Sequence, residues 1–401
     1  MNIQKISAPE GSIQTPAFKA SYVTLSKKNL GEPIAKNVVD TFSKSILPEI
    51  KKTVADEAVE IINAAGGPGR VIANAEDFKN NVNFFALAAG SGSRFKALAQ
   101  TVGDYNKISL PFKIGENENI HMLDFAMAMG KYFIGDEGVN KIVAAAPSGS
   151  FGDIVAHYLA GNPIKDTVVC CGDNVFGVSS KELMTFFTKM INDPNKHVAL
   201  IGAKRAPEIV VDRFGLLGVE GSLKDDSLKL TSFVEKPKAA DGGLELARKT
   251  AVEGECIANT GMFYISKEGM TNLINEIKSG VNNIKKNETE LYDFANAVTY
   301  VHSMLPEWFG IPSKEGANVK VVEKWEDVGE PAALYQFAND VKNGQYLHNF
   351  PKAIAQKIKD SFGERVQLEA KTPYIAFTDS AKVTESQIAN AKNVEGVNII
   401  V

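Results

Sequence analysis

A thirteen-residue stretch, Asn83 to Phe95, carries the strongest chemical signal in the chain. Phe84 to Ala89 is an uninterrupted apolar run, which suits a strand buried on both faces of a parallel sheet. It leads directly into Gly90-Ser91-Gly92-Ser93 and then Arg94. Two glycines let a backbone turn tightly and bring its N–H groups close to a ligand. A guanidinium just beyond them supplies a bidentate clamp for phosphate. The chemistry expected is a loop that wraps nucleotide phosphates. A plain turn is the competing reading. A Walker loop is disfavoured because the Gly-Lys-Ser/Thr ending is missing, and a dinucleotide loop because Phe95 stands where a third glycine belongs.

Two carboxylates could complement such a loop. Asp173, in VVCCGDNVF, follows a buried strand and so faces the crevice where ligands of open α/β sheets bind. Asp327, in VEKWEDVGE, follows the last strand candidate. Two such acids brought together by the fold can grip one Mg2+ that bridges phosphate oxygens. Helix capping is the alternative for Asp173. Phe233-Val-Glu-Lys-Pro237 offers a polar clamp, Glu235 with Lys236, for a phosphorylated sugar. A solvated ion pair explains it equally well. Asn259-Thr-Gly-Met-Phe-Tyr264 reads as a strand entered through a glycine, where either a ligand or a bulge is expected.

The elements that must position these residues alternate. Strand candidates at Lys141–Ala145, Thr167–Cys171 and His197–Ala203 interleave with helical patterns at Met122–Phe133, Ile154–Leu159 and Lys181–Ile191. That rhythm predicts an α/β fold with a doubly wound, mostly parallel sheet. Strands follow at Phe214–Val219, Leu228–Val234, Gly261–Ile265 and Val319–Trp325, with helices at Lys267–Lys278, Glu288–Ser303 and Glu330–Val341. Upstream, Ile34, Val38, Phe42, Ile46, Ile50, Val54 and Val59 form a helical stripe, which Pro48 is expected to split into two helices. Gly66-Gly-Pro-Gly69 is read as a turn, because no buried strand leads into it. Ala353–Phe362 reads as a helix. Ala381–Val401 fits one incomplete β-helix coil, an edge strand or an oligomer contact. The expected organisation is an extension over 1–80, a catalytic domain over 81–345 and a second extension over 346–401.

Bulk properties narrow the classes. A net charge of −4 over 401 residues argues against broad nucleic-acid binding. Cys170, Cys171 and Cys256 make neither a zinc spacing nor a disulfide framework, as in a reduced compartment. The five histidines show no metal-ligand spacing. The absence of a signal-like or membrane-length apolar run makes a cytoplasmic protein without membrane partners the expectation.

Taken in order, LAAGSGSRF, KISLP, PSGSFGD, CCGDNVF, FVEKP, ANTGMFY and KWEDVGE resemble the motifs of the sugar-1-phosphate nucleotidyltransferases, over roughly Phe84 to Val341. That resemblance implies a Rossmann-like, three-layer α/β/α nucleotidyltransferase fold and Mg2+-dependent nucleotidyl transfer. The partners implied are an NTP and a sugar 1-phosphate, and a homo-oligomer is allowed. Leu87, Ala88, Ala89, Gly90, Ser91, Gly92 and Ser93 would wrap the nucleotide, and Gly149 would lie near the base. Arg94 would steady the departing phosphates, and Lys107 would balance charge at the α-phosphate. Asp173 and Asp327 would hold Mg2+, with Asp173 catalytic through that role. Asn174, Glu235, Lys236, Asn259 and Gly261 would address the sugar and its phosphate. The chain departs from the pattern in having only Pro147 and Ser148 where the family has a further strand and helix. GDNVF leans toward glucose-1-phosphate with UTP or dTTP, whereas GSGSR, NTGMF and DVGEPAAL are also similar to mannose-1-phosphate guanylyltransferases.

Overall fold

In the computed structural model, residues 47–87, 95–101, 108, 110–115, 118–133, 154, 158, 161–279, 317–367, 374–377, 383–394 and 396–400 are described. Their strands are β1 (Val82–Leu87), β2 (Phe112–Lys113), β3 (Asn119–Ile120), β4 (Asp166–Cys171), β5 (Asn174–Phe176), β6 (Val198–Arg205), β7 (Leu216–Glu220), β8 (Leu228–Val234), β9 (Cys256–Ile265), β10 (Asn318–Val322), β11 (Trp325–Asp327), β12 (Val366–Gln367), β13 (Tyr374–Ala376), β14 (Lys392–Val394) and β15 (Val397–Ile400).

The central sheet has seven strands in the order β1-β4-β9-β6-β10-β8-β7. β1 with β4 and β6 with β10 are parallel, as alternating strands and helices predict. The sheet is nonetheless mixed. β9 runs antiparallel to both β4 and β6, and β8 runs antiparallel to both β10 and β7. The change of rhythm after Ala203 is therefore a change of strand direction.

The continuous apolar runs do what their composition requires. Every residue of β1 is buried. Phe84 and Ala86 enter one core, while Phe85 and Leu87 enter another. Val168 and Cys170 likewise separate from Val169. A strand with alternate side chains in two cores is covered on both faces.

Helix α1 (Leu47–Ala64) takes Pro48 into its first turn, where a missing N–H costs nothing, so Pro48 starts a helix and divides none of the described chain. Ala58, Ile61 and Ile62 are its buried face, and Val59 is exposed. The buried face thus sits one position off the expected stripe. Among the further helices, α2 (Ala75–Asn81), α3 (Lys96–Thr101) and α4 (Met122–Met129) precede β4, and α5 (Ser180–Asn192) precedes β6. α6 (Pro207–Val210), α7 (Gly243–Thr250), α8 (Lys267–Ser279), α9 (Pro331–Lys342), α10 (Lys352–Arg365) and α11 (Glu385–Ala389) follow. The expected elements at Lys141–Ala145 and Glu288–Ser303 lie outside the described residues.

The stretch from Val319 to Trp325 is two strands rather than one. β10 ends at Val322, and β11 restarts at Trp325 in a separate ribbon with β5. The C-terminal segment forms a sheet in the order β12-β13-β15-β14. β14 and β15 are an antiparallel pair with β14 at the edge, so the edge-strand reading holds and the β-helix coil does not. Phe362, Ile375, Val394 and Ile399 belong to the same core as Phe95, Leu98 and Phe112. Phe112 meets Phe362 at a ring-centroid distance of 4.8 Å.

Candidate active site

The site gathers where β4 parts from β9. On one edge of β9, β4 pairs with Phe263–Ile265 and β7 pairs with Ile257–Ala258. The stretch between them, Asn259 to Met262, has no strand beside it on that edge among the described residues. On the opposite edge β9 carries an irregularity, since Leu200 pairs with Phe263 but Gly202 pairs with Asn259. The expectation of a bulge is met here. Thr260 Oγ1 donates to the Ile201 carbonyl at 2.7 Å, satisfying a group that the ladder leaves open.

Gly261 is required at the bulge for two reasons. Its φ is +74°, and a Cβ there would lie 2.8 Å from Cys171 Sγ. The gap thus closes on the Cys171 side chain at the end of β4, just before the loop that follows. In that loop the Gly172 N–H donates to the Leu87 carbonyl at 2.7 Å. A Cβ on Gly172 would stand 2.8 Å from the same oxygen. The last residue of β1, from which the glycine loop departs, is therefore bound to the residue before Asp173.

Asn174 is buried, and its Nδ2 donates to the Thr260 carbonyl at 2.6 Å. Across β5 and β11, Asp327 pairs with Asn174, and the Val328 N–H donates to the Asp173 carbonyl at 3.0 Å. Two acids 154 positions apart in sequence are brought to neighbouring positions of one short ribbon. Next to them, burial pushes the Glu326 carboxyl up to about 7, against the pull of Arg205. Arg205 also donates to the Trp325 carbonyl and lies over its ring at 4.9 Å.

The polar clamp lies on the other side of the gap. Glu235 and Lys236 follow β8, with Nζ and Oε1 3.4 Å apart. Lys236 has a φ of +42°, and the Pro237 carbonyl accepts from the Asp212 N–H at 2.9 Å. Burial raises the Glu235 carboxyl above its usual range, while Lys236 pulls it down. A Cβ on Gly215 would meet Glu235 Oε2 at 2.9 Å, and the Gly215 carbonyl accepts from the Asn259 N–H at 2.8 Å. Glu235, Asn259, Gly261 and Asn174 therefore form one continuous wall. Gly215 and Thr260 in that wall are not evident from sequence; Arg-Phe-Gly just before a strand was the available signal for Gly215.

Two oxygens in this wall, Asn174 Oδ1 and Glu235 Oε2, are buried without a hydrogen-bond partner. Unsatisfied buried acceptors are few in folded proteins, and a ligand is a common explanation. Hard carboxylate oxygens from Asp173 and Asp327 are also the donors that Mg2+ prefers. No cluster of three or more His, Cys, Asp or Glu suited to a metal occurs among the described residues. Leu87 is placed as stated; Ala88 to Arg94, Lys107 and Gly149 lie outside the described residues.

Residues 153–344 match the family model for nucleotidyl transferases, and that part of the chain is a nucleotidyl transferase domain. The match takes in Asp173, Asn174, Glu235, Lys236, Asn259, Gly261 and Asp327, and begins after the glycine loop. Among solved structures, one described as mannose-1-phosphate geranyltransferase from Thermus thermophilus is 17% identical, with a TM-score of 0.43, covering 64% of this chain and 78% of its own. A putative glucose-1-phosphate thymidylyltransferase from Bacillus anthracis is 16% identical, with a TM-score of 0.42, covering 64% and 93%. A UDP-glucose pyrophosphorylase from Acinetobacter baumanii is 13% identical, with a TM-score of 0.41, covering 66% and 94%. No curated protein matches the chain. No helix of the described residues is long and apolar enough to cross a membrane.

Proposed function

We propose that this nucleotidyl transferase uses a sugar 1-phosphate as acceptor, with glucose 1-phosphate and UTP or dTTP as the pair. The observation that carries the reading is the continuous wall from the Asp173/Asp327 ribbon through Asn174 and Gly261 to Asn259 and Glu235. It offers hard oxygens at one end and unsatisfied buried acceptors along its length. Asn174 Oδ1 and Glu235 Oε2 suit donors such as sugar hydroxyls, and Lys236 suits the sugar phosphate.

The reaction joins an oxygen of the sugar phosphate to the α-phosphorus of the NTP. The bond from that phosphorus to the bridging oxygen breaks, and pyrophosphate leaves with the electron pair. Such an in-line displacement needs alignment and charge neutralisation, not a protein nucleophile. Asn259, Gly261, Asn174 and Glu235 align the sugar, and Lys236 orients its phosphate. The loop from Leu87 through Ala88, Ala89, Gly90, Ser91 and Gly92 to Ser93 wraps the nucleotide, with Gly149 near the base. Arg94 and Lys107 neutralise the phosphates. Asp173 and Asp327 hold Mg2+, which when bound supplies positive charge to the phosphate oxygens.

The division into 1–80, 81–345 and 346–401, the three-layer arrangement, cytoplasmic location and a role in polysaccharide precursors belong to the same proposal. The two cores on opposite faces of β1 and β4 support the layering. Mannose 1-phosphate with GTP is the second reading, favoured by the NTGMF and DVGEPAAL segments.

The test is pyrophosphate release with Mg2+, with ATP, CTP, GTP, UTP and dTTP arrayed against glucose, galactose, mannose and N-acetylglucosamine 1-phosphates. Release confined to UTP or dTTP with glucose 1-phosphate is expected. Release confined to GTP with mannose 1-phosphate would establish the second reading. Silence from folded protein, with nucleotide sugars still raising its melting temperature, would favour a binding subunit without catalysis.

A further inference from the structure

A cavity of about 320 Å³ opens at the far end of the central sheet from the candidate active site. β4 runs from Asp166 at this cavity to Cys171, two residues before Asp173. β9 reaches it in the other direction, through Tyr264. Neither the nucleotidyl transfer reading nor the sugar wall uses any residue that lines it.

The cavity is built around a buried carboxylate. Asp166 Oδ1 accepts from the Tyr264 hydroxyl at 2.7 Å and from the Lys267 N–H at 3.1 Å. Burial raises its carboxyl above the usual range, and Arg70 draws it back. Around this floor stand Arg70, Lys196, His197 and Lys267. His197 is tied through Nδ1 to Ser266 Oγ at 3.1 Å.

Arg70 is held there by the glycine cluster that the sequence marks as a turn. Gly66 and Gly67 have φ values of +110° and +97°. Asn192, at the end of α5, accepts from the N–H groups of Val71 and Ile72 at 3.0 and 2.8 Å and donates to the Ile72 carbonyl at 3.1 Å. A Cβ on Gly69 would stand 2.0 Å from the Asn192 side chain, so only glycine lets the turn seat on that clamp. The backbone that carries Arg70 is thereby fixed in advance of any ligand.

We propose that this cavity is a second ligand site, for a small phosphorylated metabolite. Three cationic side chains surround it against Glu268 and the already hydrogen-bonded Asp166, so the surplus charge is positive. The volume lies at the lower end of the usual range for small-molecule sites, roughly 300–1,000 Å³, which suits a hexose phosphate rather than a nucleotide.

The test is calorimetric titration of the full-length protein with glucose 6-phosphate, whose phosphate is not at the anomeric carbon. Binding is expected in the wild type. It should weaken at least tenfold in Arg70→Ala/Lys196→Ala and stay near wild type in Lys236→Ala, which alters the candidate sugar site. Glu268→Gln, which removes a like charge, should tighten it. No binding to the wild type would overturn the proposal. So would loss in Lys236→Ala with the double variant unaffected, since the anion would then sit in the sugar site. If the double variant melts early, Lys196→Ala and Arg70→Lys are compared separately. Unchanged affinity in the first would then refute the site.

Discussion

Asp327 lies directly opposite Asn174 in the β5–β11 ribbon, and the next N–H, of Val328, donates to the carbonyl of Asp173 at 3.0 Å. The two acids are therefore coupled through backbone, and neither position depends on a long flexible side chain. Asp173→Asn and Asp327→Asn keep size and shape while removing the charge. Each is expected to reduce Mg2+-dependent pyrophosphate release by about a hundredfold or more, the scale seen when a preorganised electrostatic group is lost. Circular dichroism and melting should stay near wild type. Near-normal turnover in either variant would remove that residue from the metal assignment.

Gly261 makes a second prediction that separates backbone from sterics. Gly261→Ala must place a Cβ 2.8 Å from Cys171 Sγ at a φ of +74°. The expected destabilisation is about 1–3 kcal/mol, measured by urea denaturation. Cys171→Ala removes the sulfur, so in that background the cost of Gly261→Ala should shrink but not vanish. A full cost in both backgrounds would mean that only φ matters. No cost in either would mean that the bulge is pliable.

The motifs that proved local were legible in sequence. GDN at the end of a buried run, FVEKP after a strand and NTGMF around a glycine each depend on neighbours within a few residues. Those neighbours set strand ends, turns and bulges. What escaped was pairing between distant segments. Nothing near Leu216 announces that β7 joins β9 at Ile257 and Ala258, opening the gap that makes the wall. Nothing local separates β10 from β11 either. The break follows from the Gly177 N–H donating to the Lys324 carbonyl at 2.8 Å, which draws Trp325 to β5. Val59 matched the stripe in spacing, yet Ala58, Ile61 and Ile62 face the core. The position of a helix face is set by what packs on it, and periodicity fixes only the spacing.

Phe362 tests whether the C-terminal extension supports the main body. Its ring meets Phe112 at 4.8 Å and Phe337 at 6.1 Å, and it is 1% exposed. Phe362→Ala is expected to cost about 3–5 kcal/mol, the range for emptying a buried aromatic site. Phe112 precedes β3 and follows α3, so the loss should fall on the segment that continues from the glycine loop. A single cooperative urea transition shifted to lower denaturant is the expected result. Two separate transitions, with the main one unmoved, would mean that residues 346–401 fold apart from the rest.

Asp166 gives a pH dependence whose sign follows from its burial. Its carboxyl titrates above the ordinary value of 3.8 because burial disfavours the charge more than the Tyr264 and Lys267 hydrogen bonds favour it. Between the unfolded and folded values the native state binds the extra proton. Stability from this group is thus complete below about 3.8 and is lost as pH rises through the folded value. Asp166→Asn keeps an Oδ1 acceptor for both donors and removes the ionisation. Its melting temperature should exceed that of the wild type at pH 8, and the gap should narrow as the pH is lowered toward 3.8. A gap that widened toward acid would mean that the carboxylate is held below its usual range, with Arg70 and the two hydrogen bonds outweighing burial.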